Sequence, residues 1–99
     1  MTEIEELQEV IRRVHGVKSR HLKSVPVKEE FQGKTVWEGT VEVFVLKEHP
    51  EASLAYAWTH DTDDGRRRSV AVLHAPPVNS PQAAVRAAIV EEFKSRGKS

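Results

Sequence analysis

The chain has 99 residues, enough for one domain with one hydrophobic core, since a chain of this size buries roughly two thirds of its unfolded surface. Its 15 basic and 15 acidic residues cancel, which removes the broad positive field that drives binding to a phosphate backbone. The absence of cysteine excludes disulfides, thiolate metal sites and cysteine nucleophiles. The opening stretch MTEIEELQEV is acidic and amphipathic, unlike a secretory leader, and no apolar run approaches the about 18 residues that a membrane span needs. The expectations are a soluble chain with no membrane partner and a cytoplasmic location.

Thr2 followed by Glu5 is a capping box, in which each side chain satisfies an amide left orphaned at a helix start. Ile4, Leu7, Val10, Ile11 and Val14 then recur at helical spacing, and Gly16 suits a left-handed C-cap, so the first helix is expected over about residues 3 to 15. Its acidic first turns and its Arg12, Arg13, His15 end suit the helix dipole. A first strand starting near Leu22 alternates Val25, Val27, Glu29 and Phe31, and Pro26 assigns it to a sheet edge because proline has no amide for a ladder. Gln32-Gly33 suits a two-residue hairpin loop into a second strand from Lys34 to Lys47. The alternation of that strand slips once, which predicts a bulge at Gly39-Thr40.

A loop from Glu48 to Glu51 pairs Val45 with Leu54, Val43 with Tyr56 and Val41 with Trp58. A tight turn at Asp63-Asp64-Gly65 then pairs Trp58 with Val70, Tyr56 with Val72 and His60 with Arg68. Both turns select one core face, comprising Val25, Val27, Val41, Val43, Val45, Leu54, Tyr56, Trp58, Val70 and Val72. Pro76-Pro77 stops the sheet, and Ser80-Pro81 caps a second helix over about residues 81 to 95 with Ala84, Val85, Ala88, Ile89 and Phe93 as its buried stripe. The fold class is therefore α+β: a two-layer sandwich in the order α-β-β-β-β-α, a four-stranded antiparallel meander with both helices packed on one face.

If both helices share one face, the other is left open. Phe44, Leu46, Ala55, Ala57, Ala71 and Leu73 share a parity on neighbouring strands and form a contiguous apolar patch there, a surface suited to self-association or to a protein or small-molecule ligand. A basic cluster of Arg12, Arg13, Lys18, Arg20 and Lys23 at the exit of the first helix is the alternative site, for RNA or DNA. Aromatic side chains for base stacking are sparse around it.

The five histidines have no metal-ligand spacing. His49 and His74 fall at one end of the proposed sheet, where Glu51 could complete a three-ligand set, whereas a solvated loop histidine and a satisfied sheet-end histidine account for them without a metal. The run from His60 to Gly65 is too short for a calcium loop and reads as turn chemistry, with Arg66, Arg67 and Arg68 across the turn to neutralise its aspartates. No serine sits in a nucleophile elbow. The sequence thus points to a homodimeric interaction or ligand-binding module using the second sheet face or the edge of the fourth strand, with no cofactor, no metal and no assigned enzymatic activity.

Overall fold

A computed structural model describes the backbone of residues 2–61, 65–76 and 78–96, and the side chains of residues 2–60, 65–76 and 78–91. Asp63, Asp64, Pro77 and the Phe93 side chain, to which turn, stop and core roles were assigned above, lie outside these residues, as does much of the acidic run after His60. The elements are α1 (Glu3–His15), β1 (Ser19–Phe31), β2 (Lys34–Leu46), β3 (Leu54–Asp61), β4 (Arg67–Leu73) and α2 (Pro81–Arg96). The strands form one antiparallel sheet in the order β1-β2-β3-β4. The α+β class and the order α-β-β-β-β-α are as the sequence requires.

Local chemistry sets the ends of these elements. The Thr2 hydroxyl accepts from the Glu5 amide while the Glu5 carboxylate accepts from the Thr2 amide, and Gly16 closes α1 in the left-handed conformation with its amide on the Arg12 carbonyl. The Ser80 hydroxyl accepts from the Ala83 amide and starts α2. Gln32 and Gly33 both have positive φ, the requirement of a type I′ turn, so β1 and β2 join by a two-residue hairpin. The expected register holds on both sides of β3: Val45 faces Leu54, Val43 faces Tyr56, Tyr56 faces Val72, Trp58 faces Val70 and His60 faces Arg68. The β2–β3 ladder ends at Glu42 and Ala57, so Val41 and Trp58 are not paired and the two hairpins diverge beyond that point.

Two details of the sheet differ from the sequence reading. β1 starts at Ser19, earlier than Leu22, because Lys18 and Arg20 continue the ladder along the end of β2. The bulges lie at Leu22 in β1 and Val36 in β2, and not at Gly39-Thr40. Trp37, Gly39, Val41 and Val43 therefore keep one parity without a slip. Gly39 makes room for an indole: a Cβ there would stand 3.0 Å from Cη2 of Trp37, whose ring meets Trp58 edge-on at 5.9 Å between centroids.

The helices do not share one face. α2 lies on the face of Val27, Val41, Val43, Tyr56 and Trp58, where Ala84 and Val85 are buried and Ala88 and Ile89 pack at the margin. α1 lies on the other, where Leu7 and Ile11 are buried against Phe44, Leu46, Ala55 and Ala57, with Ala71 and Leu73 at the margin. Each helix makes its own helix-on-sheet layer, and the expectation of both helices on one face is corrected. The reason is apolar area: the second face carries Phe44, Leu46 and Leu73, which cannot stay in water when an amphipathic helix with its own apolar stripe is close in sequence.

Candidate functional site

The six residues expected to form an exposed patch are the floor beneath α1. Phe44, Ala55 and Ala57 have no solvent exposure, Leu46 has 7 %, and Ala71 and Leu73 pack against the same cluster. The patch is brought together as its parity required, but the same chain covers it, so it offers no surface to a partner.

The basic residues at the exit of α1 are exposed but divided. Arg12 is held by Glu9 one turn earlier on α1, which keeps the Glu9 carboxyl below its ordinary range. Arg13 is exposed on the helix, while Arg20 and Lys23 belong to β1, opposite Val45 and Val43. A bond from the Lys47 amide to the Lys18 carbonyl, 3.0 Å, joins these two chain segments. With Gly16, Val17 and Glu48, Lys18 and Lys47 line an open depression at the C-terminal end of α1. Lys47 was not in the expected set, and only the ladder places it there.

The histidines have separate roles. Nδ1 of His49 accepts from the amides of Glu51 and Ala52, at 3.1 and 3.0 Å, so this ring caps its own loop. His74 Nδ1 meets the Tyr56 hydroxyl at 2.5 Å, which satisfies a phenol whose pKa burial raises. Among the described residues, no group of three or more His, Asp or Glu side chains could hold a metal ion. A polar cluster not anticipated from the sequence joins the bulge region of β1 to β2: His21 Nε2 donates to Glu42 at 2.9 Å, the Ser24 hydroxyl donates to the same oxygen, and the His21 ring lies 5.4 Å from Phe44. Both groups donate to one carboxylate oxygen, which ties the bulge region of β1 to β2. The pairing of residues 21 and 24 with 42 was not legible because it depends on the bulge at Leu22.

The outer edges of the sheet carry the remaining chemistry. The amide of His74 bonds the Leu54 carbonyl and the amide of Leu46 bonds the Ser53 carbonyl, which fixes the alternation across β3. In an antiparallel ladder bonded and non-bonded pairs alternate, so the amides and carbonyls of Arg67, Ser69, Ala71 and Leu73 point away from β3 into the free edge of β4. Two of these carbonyls are occupied: His15 Nε2 on α1 donates to Ala71 at 3.3 Å, and the Ala75 amide donates to Leu73 at 3.0 Å. On the β1 edge, Gln8 of α1 donates to the Ser19 carbonyl and Gln82 of α2 to the Lys28 carbonyl, both at 3.0 Å. Pro26 and the bulge at Leu22 interrupt the same edge. The helices thus blunt β1 along its length, whereas β4 is blunted at its end and left regular between Arg67 and Ser69.

Among the described residues no helix is long and apolar enough to cross a membrane. Comparison with protein-family models, with curated proteins and with solved structures finds no match to this chain.

Proposed function

We propose that this protein is a self-associating interaction module that pairs through the free edge of β4. The observation that supports this reading is the unequal treatment of the two outer edges. β1 is interrupted by Pro26, by the Leu22 bulge and by glutamine side chains from both helices. β4, by contrast, keeps a regular ladder with β3 from Ala55 to Asp61 and contains no proline. An unpaired strand of this kind is a template for another strand, and the half-buried Val70 and Val72 beside it would lose further water on pairing. The sheet face expected to be sticky is core, which leaves the edge of β4, the other surface the sequence offered for self-association.

Sedimentation at micromolar to millimolar concentration tests the reading. Wild-type protein is expected to run at twice the chain mass. Ser69→Pro removes an outward amide from an exposed position without touching the β3–β4 ladder, so it should give a folded monomer with an unchanged far-ultraviolet dichroism spectrum. A wild type that stays monomeric throughout, or a Ser69→Pro protein that remains dimeric, overturns the proposal.

A further inference from the structure

We infer that the partner on this edge is a second copy of the chain, paired antiparallel about a two-fold axis through Ser69. This deepens the edge-pairing reading and rests on it. The argument comes from which outward groups of β4 are open. Ser69 has both its amide and its carbonyl directed outward, and among the described residues neither carries a side-chain cap or a turn bond of the kind seen at Ala71 and Leu73. With the axis through Ser69, the two copies of this residue exchange both bonds. Each Ala71 amide then meets the partner's Arg67 carbonyl, and only the Arg67 amides face an acceptor already taken by His15.

Other registers fit the same edge less well. An axis through Val70 would aim the Ser69 and Arg67 amides at the carbonyls of Ala71 and Leu73, both already taken. An axis through Ala71 would use those occupied carbonyls at its centre, and one through Arg67 would run the pairing off the start of β4. A carbonyl that already accepts one bond is the poorer acceptor, which leaves the axis through Ser69 and one through Arg68, where Arg67 would pair with the partner's Ser69 but the two Arg68 side chains would stand directly opposite each other. Charge decides between these two. About Ser69, Arg67 and Arg68 lie opposite the partner's Ala71 and Val70, and not opposite each other, where like charges would repel.

The absence of native cysteine makes the test clean. In the inferred register the two Ser69 Cα atoms stand about 5.5 Å apart, within disulfide reach, whereas the two Arg68 Cα atoms are displaced along the strands beyond it. In a glutathione redox buffer, Ser69→Cys should form a covalent dimer at least about tenfold more readily than Arg68→Cys, with wild-type sedimentation measured in parallel. Equal cross-linking of the two variants, or cross-linking of neither while the wild type sediments as a dimer, overturns the Ser69 axis while leaving edge pairing intact. A wild type that is monomeric overturns both.

Discussion

Trp37 and Gly39 illustrate how one small residue sets the position of a large one. The indole of Trp37 lies across Gly39 and reaches Trp58 edge-on, so a methyl group at residue 39 would press on the ring at 3.0 Å. Gly39→Ala is expected to displace Trp37 and cost about 1–2 kcal/mol, with loss of near-ultraviolet dichroism from the tryptophan pair. An unchanged spectrum and midpoint would show that the ring yields freely. Glu29 is the second telling residue. It is 9 % exposed on the α2 side of the sheet, and Arg86 and Gln82 hydrogen-bond its carboxylate and hold its pKa below the ordinary glutamate range. A carboxyl with a lowered folded pKa contributes stability that is present above the unfolded value of 4.5 and is lost as pH falls through the folded value. Glu29→Gln should therefore lower the stability at pH 7, by about 1 kcal/mol given the largely exposed Arg86, and the gap to wild type should narrow as pH falls from the unfolded value through the folded one. A gap that stays constant as the pH is lowered into the acid unfolding range would assign the loss to packing.

At the scale of elements, α1 is a lid on one sheet face and a source of edge caps. Leu7 and Ile11 seal Phe44, Ala55 and Ala57, and the start of the helix is tied to the far end of β3 and β4 through Glu3, which accepts from Thr59 at 2.6 Å and pairs with Arg67 at 3.4 Å. The small alanines of β3 are what let the helix approach closely. Ala57→Glu would place a carboxylate in this sealed layer and is expected to unfold the protein or detach α1, because an unpaired buried charge costs several kcal/mol. Urea denaturation decides the point, since a variant that keeps the wild-type midpoint would mean that α1 does not cover residue 57. The same helix holds Ser19 through Gln8 and Ala71 through His15, so its docking fixes which parts of both outer edges stay available.

For the whole molecule, charge is balanced but unevenly placed. Acidic Glu3, Glu5 and Glu6 stand at one end of α1, and Arg13, Lys18 and Lys47 gather near the other. The nucleic-acid alternative at that basic end makes a separate forecast. Affinity for a short duplex should fall linearly with salt on logarithmic axes, and Lys18→Glu should flatten the slope by about 0.9 for each phosphate that the variant no longer neutralises. Binding that ignores salt, or none at low salt, eliminates it. The edge-pairing reading expects little salt dependence, because it relies on main-chain hydrogen bonds and aliphatic surface, so the two readings separate in one titration.

The amino-acid sequence by itself determined the order of the elements, the caps of both helices and the register of three strands. Each of these follows from neighbours: a capping box spans one turn, a type I′ turn spans two residues, and alternation with period two assigns each strand residue to a face. Only the tertiary structure decided which helix covers which face, because Val41, Val43 and Trp58 on one side and Phe44, Leu46 and Leu73 on the other are both apolar enough to receive a helix. It also decided where the bulges fall. Glu29 looks like a solvent residue until Gln82 and Arg86 arrive from more than fifty positions away to satisfy it on the buried face. The register that places Glu29 there, opposite Trp37, needs the extra residue at Val36. Edge availability was decided last, since Gln8, His15 and Gln82 cap carbonyls on strands that they meet only in the folded chain.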